Sequence, residues 1–214
     1  MSKLALFIDH PRCSVDGINS IINALQSQHQ FKIFTRHKIP YKNFFDDVDA
    51  VIFPGGTGDV NTFDKIMKNH KQTIRDYVAN GGRYLGICMG AYWAGPNYFD
   101  ILRGRECVQH MNRSGAPRRP HPKDLEVNWN GRKEKIYWYD GCSIIGNGKM
   151  DIVATYFNGD VMAGYQNKIG LIGSHLEADE NWYSCHSWMR KSWSTDKQKN
   201  WNLLLQFTNE LLKR

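Results

Sequence analysis

Three short runs, Leu4–Ile8, the DAVIF stretch ended by Pro54-Gly55-Gly56 and the stretch RYLGI ending at Ile87, are almost wholly apolar. A strand with one wet face alternates apolar and polar side chains, so uninterrupted runs of this length predict strands buried on both faces. Helical segments stand between them. Ser14 can cap a helix whose apolar face is Ile18, Ile21, Ile22 and Leu25, and a second helical stretch runs to Ala79, where Asn80-Gly81-Gly82 supply a left-handed stop. FKIFT adds a further short strand. Strands that alternate with helices and bury both faces form an open, mostly parallel sheet flanked by helices, a flavodoxin-like α/β arrangement.

After Gly95 the pattern changes. LEVNW, KEKIYWY, DIVATYF, VMAGYQ and KIGLIG are aromatic-rich runs separated by Gly, Asn and Asp, which predicts antiparallel hairpins in the C-terminal half. A closing helix is expected from about Asp196 to Leu212, with Thr195 and Gln198 as a capping box and Trp201, Leu204, Leu205, Thr208 and Leu212 on one face. With 214 residues, 41% of them hydrophobic, and no repeat or linker, residues 1–214 read as one domain.

Composition excludes several functions. No apolar run approaches the roughly 20 residues that span a bilayer, which predicts a protein without a membrane role, soluble and cytoplasmic. Cys13, Cys88, Cys107, Cys142 and Cys185 are odd in number and widely spaced, so neither a disulfide framework nor a metal site is expected, and Cys107 and Cys142 read as structural. The net charge of +7 is spread along the chain without a nucleic-acid motif, so nucleic acid is not the expected partner. Trp182, Trp188, Trp193 and Trp201 read as packing, and nothing spaces His110, His121 and His186 for a metal. One stretch concentrates charge: Arg103 to Lys123 carries Arg103, Arg105, Arg113, Arg118, Arg119 and Lys123 against Glu106 alone. It reads as a loop able to steer an anionic substrate toward a crevice.

The chemistry centres on GGRYLGICMGAYWAG. Cys88 follows a buried strand, where ligands of open α/β sheets bind. On a sharp strand-to-helix turn, side chains two positions to either side would collide, and Gly86 and Gly90 remove that collision, giving a thiol nucleophile elbow. The helix N-terminus beneath the thiol favours its ionised form, and the Met89 N–H points toward a developing oxyanion. Gly55 and Gly56 in FPGGTGD end another strand and can add N–H groups to that hole. In GLIGSHLEA, His175 can take the thiol proton while Glu177 fixes its tautomer.

Together, PGG, the elbow and GSHLE resemble the class I glutamine amidotransferase-like superfamily. The resemblance implies a Cys88–His175–Glu177 triad in that order along the chain. YVANGGRYLGICMGAYWAG, YWYDGC and IVATYFNGD further resemble the domain at the N-terminus of certain biotin-protein ligases, in its stand-alone version. Two departures stand out. Leu176 occupies a position where the amidotransferase pattern usually has proline, and no biotin- or ATP-binding module follows, so biotin ligation is not expected. A related branch of intracellular-protease and stress-response proteins uses an acid from the first strand region, for which Asp9 would serve. That branch has a histidine directly after the elbow, where this chain has Met89.

The function expected is a cysteine-dependent amidase or amidotransferase-like hydrolase acting on a small-molecule amide, without a cofactor. The resemblance leaves room for a protein partner supplying a synthetase activity. Two other classes are carried: a non-catalytic scaffold of the same fold, and a redox or electrophile sensor built on Cys88. His110 is the next candidate base should His175 lie out of reach.

Overall fold

A computed structural model describes residues 1–39, 41, 43–56, 62–193 and 199–214. The parallel strands are β1 (Ser2–Phe7), β2 (His29–Phe34), β3 (Ala50–Phe53) and β4 (Arg83–Ile87), joined by helices α1 (Val15–Leu25), α2 (Thr62–Ile66) and α3 (Lys71–Ala79). A 3-10 turn at Lys68–His70 breaks the helical stretch that the sequence runs through without interruption. The five-residue α4 (Met89–Trp93) follows β4. Then come β5 (Arg105–Gln109), β6 (Lys123–Trp129), β7 (Arg132–Trp138), β8 (Cys142–Gly146), β9 (Asp151–Tyr156), β10 (Val161–Gln166) and β11 (Ile169–Ile172). Helices α5 (Glu180–Ser184) and α6 (Lys199–Leu212) complete the chain. The capping box at Thr195 and Gln198 lies outside the described residues.

All eleven strands form one sheet, in the order β2-β1-β3-β4-β11-β10-β9-β6-β7, with β8 on β10 and β5 on β8. Two sequence expectations change in detail. The stretch 103–123 is not loop throughout, because Arg105–Gln109 pairs with β8 as an antiparallel strand. KIGLIG is more than the last arm of a hairpin: β11 is antiparallel to β10 but parallel to β4, with Ile172 beside Ile87. Its apolar run gives no sign of which neighbour lies on either side, since a strand buried between two others reads the same in both directions.

The apolar strands bury both faces as their composition demands. Leu4 and Leu6 of β1 point into a cluster with Ile21 and Leu25 of α1 and Leu204, Phe207 and Leu211 of α6. Ala5 and Phe7, one residue out of step, point the other way, toward Phe53, Phe63, Ile74, Trp93 and Phe99. In that second layer Phe7 meets Phe34 and Phe53 at ring separations of 5.4 and 5.2 Å. With both faces covered, a site falls at the strand ends, and in open α/β sheets it is the carboxyl ends that bind ligands.

Gly90 shows how closely the elbow helix is pressed onto that edge. A Cβ there would run into the carbonyl of Phe53, and its own carbonyl accepts the Tyr84 hydroxyl at 2.6 Å. Gly90→Ala is therefore expected to destabilise the fold by about 3 kcal/mol, read as a fall in the urea midpoint at unchanged slope. Gly159→Ala, with nothing within 4 Å of the added carbon and only its positive φ of 87° to strain, should cost less.

Candidate active site

Cys88 stands between β4 and α4 with φ 50° and ψ −105°. This left-handed conformation is uncommon for a residue with a side chain and persists only where its surroundings hold it. Here the Cys88 N–H donates to the Ile172 carbonyl of β11 at 2.8 Å, and the Cys88 carbonyl accepts from Ala91 and Tyr92 at 2.9 and 3.2 Å. Gly90 N–H donates to Pro54 at 3.2 Å. A Cβ on Gly86 would lie 2.5 Å from the Gly90 carbonyl oxygen. The two glycines thus allow different approaches: Gly86 lets the turn close on itself, and Gly90 lets it pack on β3.

His175 follows the end of β11. Its N–H donates to the Tyr137 carbonyl at 3.1 Å, and the Ser174 hydroxyl donates to the same oxygen at 2.6 Å. The imidazole Nδ1 lies 2.8 Å from Glu177 Oε1, and the ring and the Cys88 side chain both border Gly55. Cys88, His175 and Glu177 are all buried. Burial alone would push the His175 imidazolium down, but the charges of Cys88 and Glu177 and the hydrogen bonds to both outweigh it and lift the group to about 10.

Leu176 carries the His-x-Glu turn without a proline. Its side chain is fully buried in the same layer as Ile172 and Leu204, which anchors the turn by packing. Trp201 of α6 donates its indole N–H to the Glu177 carbonyl at 2.9 Å, and the Trp182 ring lies 5.1 Å from that of His175. Tyr137, Leu176, Trp182 and Trp201 therefore position the histidine and its acid. The sequence predicts a packing role for the tryptophans, and the Tyr137–His175 bridge adds a tie from the antiparallel half to the site.

Gly55 and Gly56 lie beside this centre. A Cβ on Gly55 would come 2.8 Å from His175 Cε1 and 3.6 Å from Cys88 Cβ, and one on Gly56 would meet the Met89 sulfur. The Gly55 carbonyl accepts from Ser14 N–H at 3.4 Å. Met89 opens α4, so its N–H has no acceptor within the helix. With only five residues, α4 has a small dipole, and the main positive group facing the thiol is the His175 ring rather than the helix.

The other expected residues fall elsewhere. Asp9 is held by Arg12 at 3.2 Å and Arg36 at 3.7 Å. His110 is tied into a separate network: its Nδ1 meets the Ser143 hydroxyl at 2.9 Å, that hydroxyl donates to Asp160 at 2.9 Å, and the ring stacks on Tyr156 at 3.7 Å. Burial pushes His110 down to about 4. In the basic stretch, Arg113 makes two bonds to Asp160, Arg105 donates to the Gly148 carbonyl and Arg103 to its own loop, while Arg118 and Arg119 are exposed. Cys142, a free and fully buried thiol, is pushed well up by its neighbour Cys107 and by burial; burial also raises Cys13, to about 12. His121 and His186 pack on Trp188. Among the described residues no group of His, Cys, Asp or Glu is arranged to hold a metal, and no helix is long and apolar enough to cross a membrane.

The sheet order and elbow define a protein with the glutamine amidotransferase-like fold. Among solved structures, a glutamine amidotransferase from Thermotoga maritima overlays all of this chain and 99% of its own at a TM-score of 0.72 and 11% identity. The PurLQS structure from the same organism matches over 96% of this chain and 98% of that one, at 0.66 and 15%. A glutamine amido transferase from Methylobacillus flagellatus matches over 99% and 92%, at 0.58 and 11%. At such identities the likeness is one of fold. More narrowly, residues 11–102 match the family described as biotin-protein ligase, N terminal. Both resemblances read in the sequence are thus returned. The matched stretch contains Gly55, Gly56 and Cys88 and stops short of His175 and Glu177. No curated protein sequence matches the chain.

Two outcomes follow from the pKa values. Because His175 stays protonated beside the thiol until about pH 10, iodoacetamide at about pH 6.5, below the free-thiol range, should alkylate Cys88 ahead of the exposed Cys185. His175→Ala should abolish that preference in a peptide map. The pair also links stability to pH. With a folded-state value above the unfolded 6.5, the His175 contribution is fully present below pH 6.5 and is lost as pH rises toward 10. His175→Gln should flatten that part of a stability-versus-pH curve measured in urea.

Proposed function

We propose that this chain is a cysteine-dependent amidase of the amidotransferase type, acting on a small-molecule amide. The observation that carries the reading is His175, buried next to Cys88 at Gly55 with its Nδ1 held by Glu177 at 2.8 Å. In the reaction the Cys88 thiolate attacks the amide carbonyl carbon. The N–H groups of Met89, Gly55 and Gly56 hold the oxygen that gains negative charge. The His175 imidazolium gives its proton to the departing nitrogen as the C–N bond breaks, leaving a thioester on Cys88 and releasing ammonia or an amine. Neutral His175 then takes a proton from water, whose hydroxide adds to the thioester. The C–S bond then breaks, which returns the thiolate to Cys88 and releases the acid product, with His175 left as the imidazolium.

Glu177 supports both half-reactions by holding Nδ1–H, so that Nε2 is the nitrogen that exchanges protons with thiol and water. A partner protein that supplies a synthetase activity and consumes the released nitrogen belongs to the same reading.

The test is ammonia release from a panel of primary amides, glutamine included. Wild type should turn over at least one, and Cys88→Ser none. Glu177→Gln should keep the melting temperature within a few degrees and lower kcat by about 100-fold or more, because the wrong tautomer is favoured. Full activity in Glu177→Gln, or release that survives Cys88→Ser, would overturn the assignment.

A further inference from the structure

The parallel part of the sheet presents its strand ends in the order β2, β1, β3, β4, β11, and in open α/β sheets ligands bind along that row. Cys88 follows β4, His175 follows β11, and Gly55 and Gly56 follow β3. The next two positions hold a second group of charged side chains. After β1, Asp9 is 91% buried at its side chain and faces Arg12, at 3.2 Å, and Arg36 of the loop after β2, at 3.7 Å. One carboxylate therefore holds two guanidinium groups side by side, and these stay 34% and 31% exposed. Each guanidinium has five N–H donors, most of them left over after Asp9 is satisfied.

The loops are continuous with the site. Cys13 forms an isolated β-bridge with Gly56, and the Arg12 carbonyl lies where a Gly56 Cβ would stand. Gly55 in turn abuts His175 and Cys88. Among the described residues 8–14, 35–39 and 54–56, the cations Arg12, Arg36 and Lys38 stand against Asp9 alone. Around them, Arg36 donates to the His37 ring at 3.4 Å, and burial together with Arg36 and His37 holds His70 below its usual value. The field at this end of the row is positive.

We propose that Arg12 and Arg36 form an anion subsite for the substrate of Cys88, which is then an amide bearing a carboxylate or phosphate about 10 Å from its carbonyl carbon. The distance follows from the topology: β1, which precedes the Arg12 loop, lies two inter-strand spacings of about 4.8 Å each from β4, and β2, which precedes Arg36, lies one spacing farther. Planar guanidiniums suit such groups because they offer paired donors. The inference rests on Cys88 being the nucleophile of the proposed amidase. It moves anion recognition away from the basic stretch, where Arg113 is already taken up by Asp160.

The test uses thiol-directed labels rather than turnover. Bromoacetyl derivatives of glycine, γ-aminobutyrate and 6-aminohexanoate place a carboxylate progressively farther from the carbon that Cys88 attacks as bromide leaves, and bromoacetamide is the uncharged reference. Cys88 labelling by the best-fitting acid should exceed that by bromoacetamide by about tenfold or more at low salt, and should fall with added sodium chloride. Arg12→Gln and Arg36→Gln should each remove most of that excess while leaving the bromoacetamide rate unchanged. Arg36→Lys, which keeps the charge beside Asp9, should retain part of it and guards against an effect of misfolding. A phosphonate label of the best length tells a phosphate-bearing substrate from a carboxylate one by which reacts faster. Equal rates across the series, or an excess that survives both glutamine substitutions, overturns the subsite. If bromoacetamide itself fails to label Cys88 ahead of Cys185, the nucleophile assignment fails, and the subsite's substrate with it.

Discussion

The hydrogen bond from Cys88 N–H to the Ile172 carbonyl joins the two halves of this chain at the residue whose thiol is the proposed nucleophile. Strand β4 comes from the parallel half and β11 from the end of the antiparallel half. Their parallel pairing places the elbow and the His-x-Glu turn at neighbouring strand ends. Were β11 paired only with β10, His175 would be a surface histidine beside an acid. The left-handed backbone of Cys88 depends on the same junction, because the turn is fastened to β11 through its N–H and to β3 through Gly90.

Electrostatics at the site follow from burial and partners acting in opposite directions. Desolvation works against a charged imidazole in so enclosed a place, and His175 is raised only because two partners compensate. His110 shows the contrast within the same fold. It too is buried, but its Nδ1 meets the Ser143 hydroxyl with the Asp160 carboxylate 4.0 Å away and Arg113 opposing it, so desolvation prevails and the group is pushed down. The difference lies in what stands beside each ring: Cys88 and a carboxylate in direct contact at His175, a hydroxyl and the Tyr156 face at His110.

Several surrounding groups serve to hold His175 in place. Leu176 packs into the core where a proline would stiffen the loop, Tyr137 takes the backbone N–H, and Trp201 holds the Glu177 carbonyl. Anchoring by a leucine needs a core to pack against, and α6 supplies part of it through Leu204. The antiparallel strands and the final helix therefore support the site as well as enclosing the core.

Local patterns in the sequence determined the apolar strands buried on both faces, the glycine pair around Cys88 and the order of cysteine, histidine and glutamate along the chain. Each is a short-range consequence of side-chain size or period. The glycines were legible because a Cβ two residues from the turn has nowhere to go, although the atoms it would strike, the carbonyls of Gly90 and Phe53, were not. Tertiary structure alone decided that Asp9 is bound by Arg12 and Arg36, that Arg105–Gln109 is a strand, and that β11 lies between β4 and β10. Those outcomes depend on partners distant along the chain, and an apolar run or a charged side chain carries no mark of which distant neighbour will meet it.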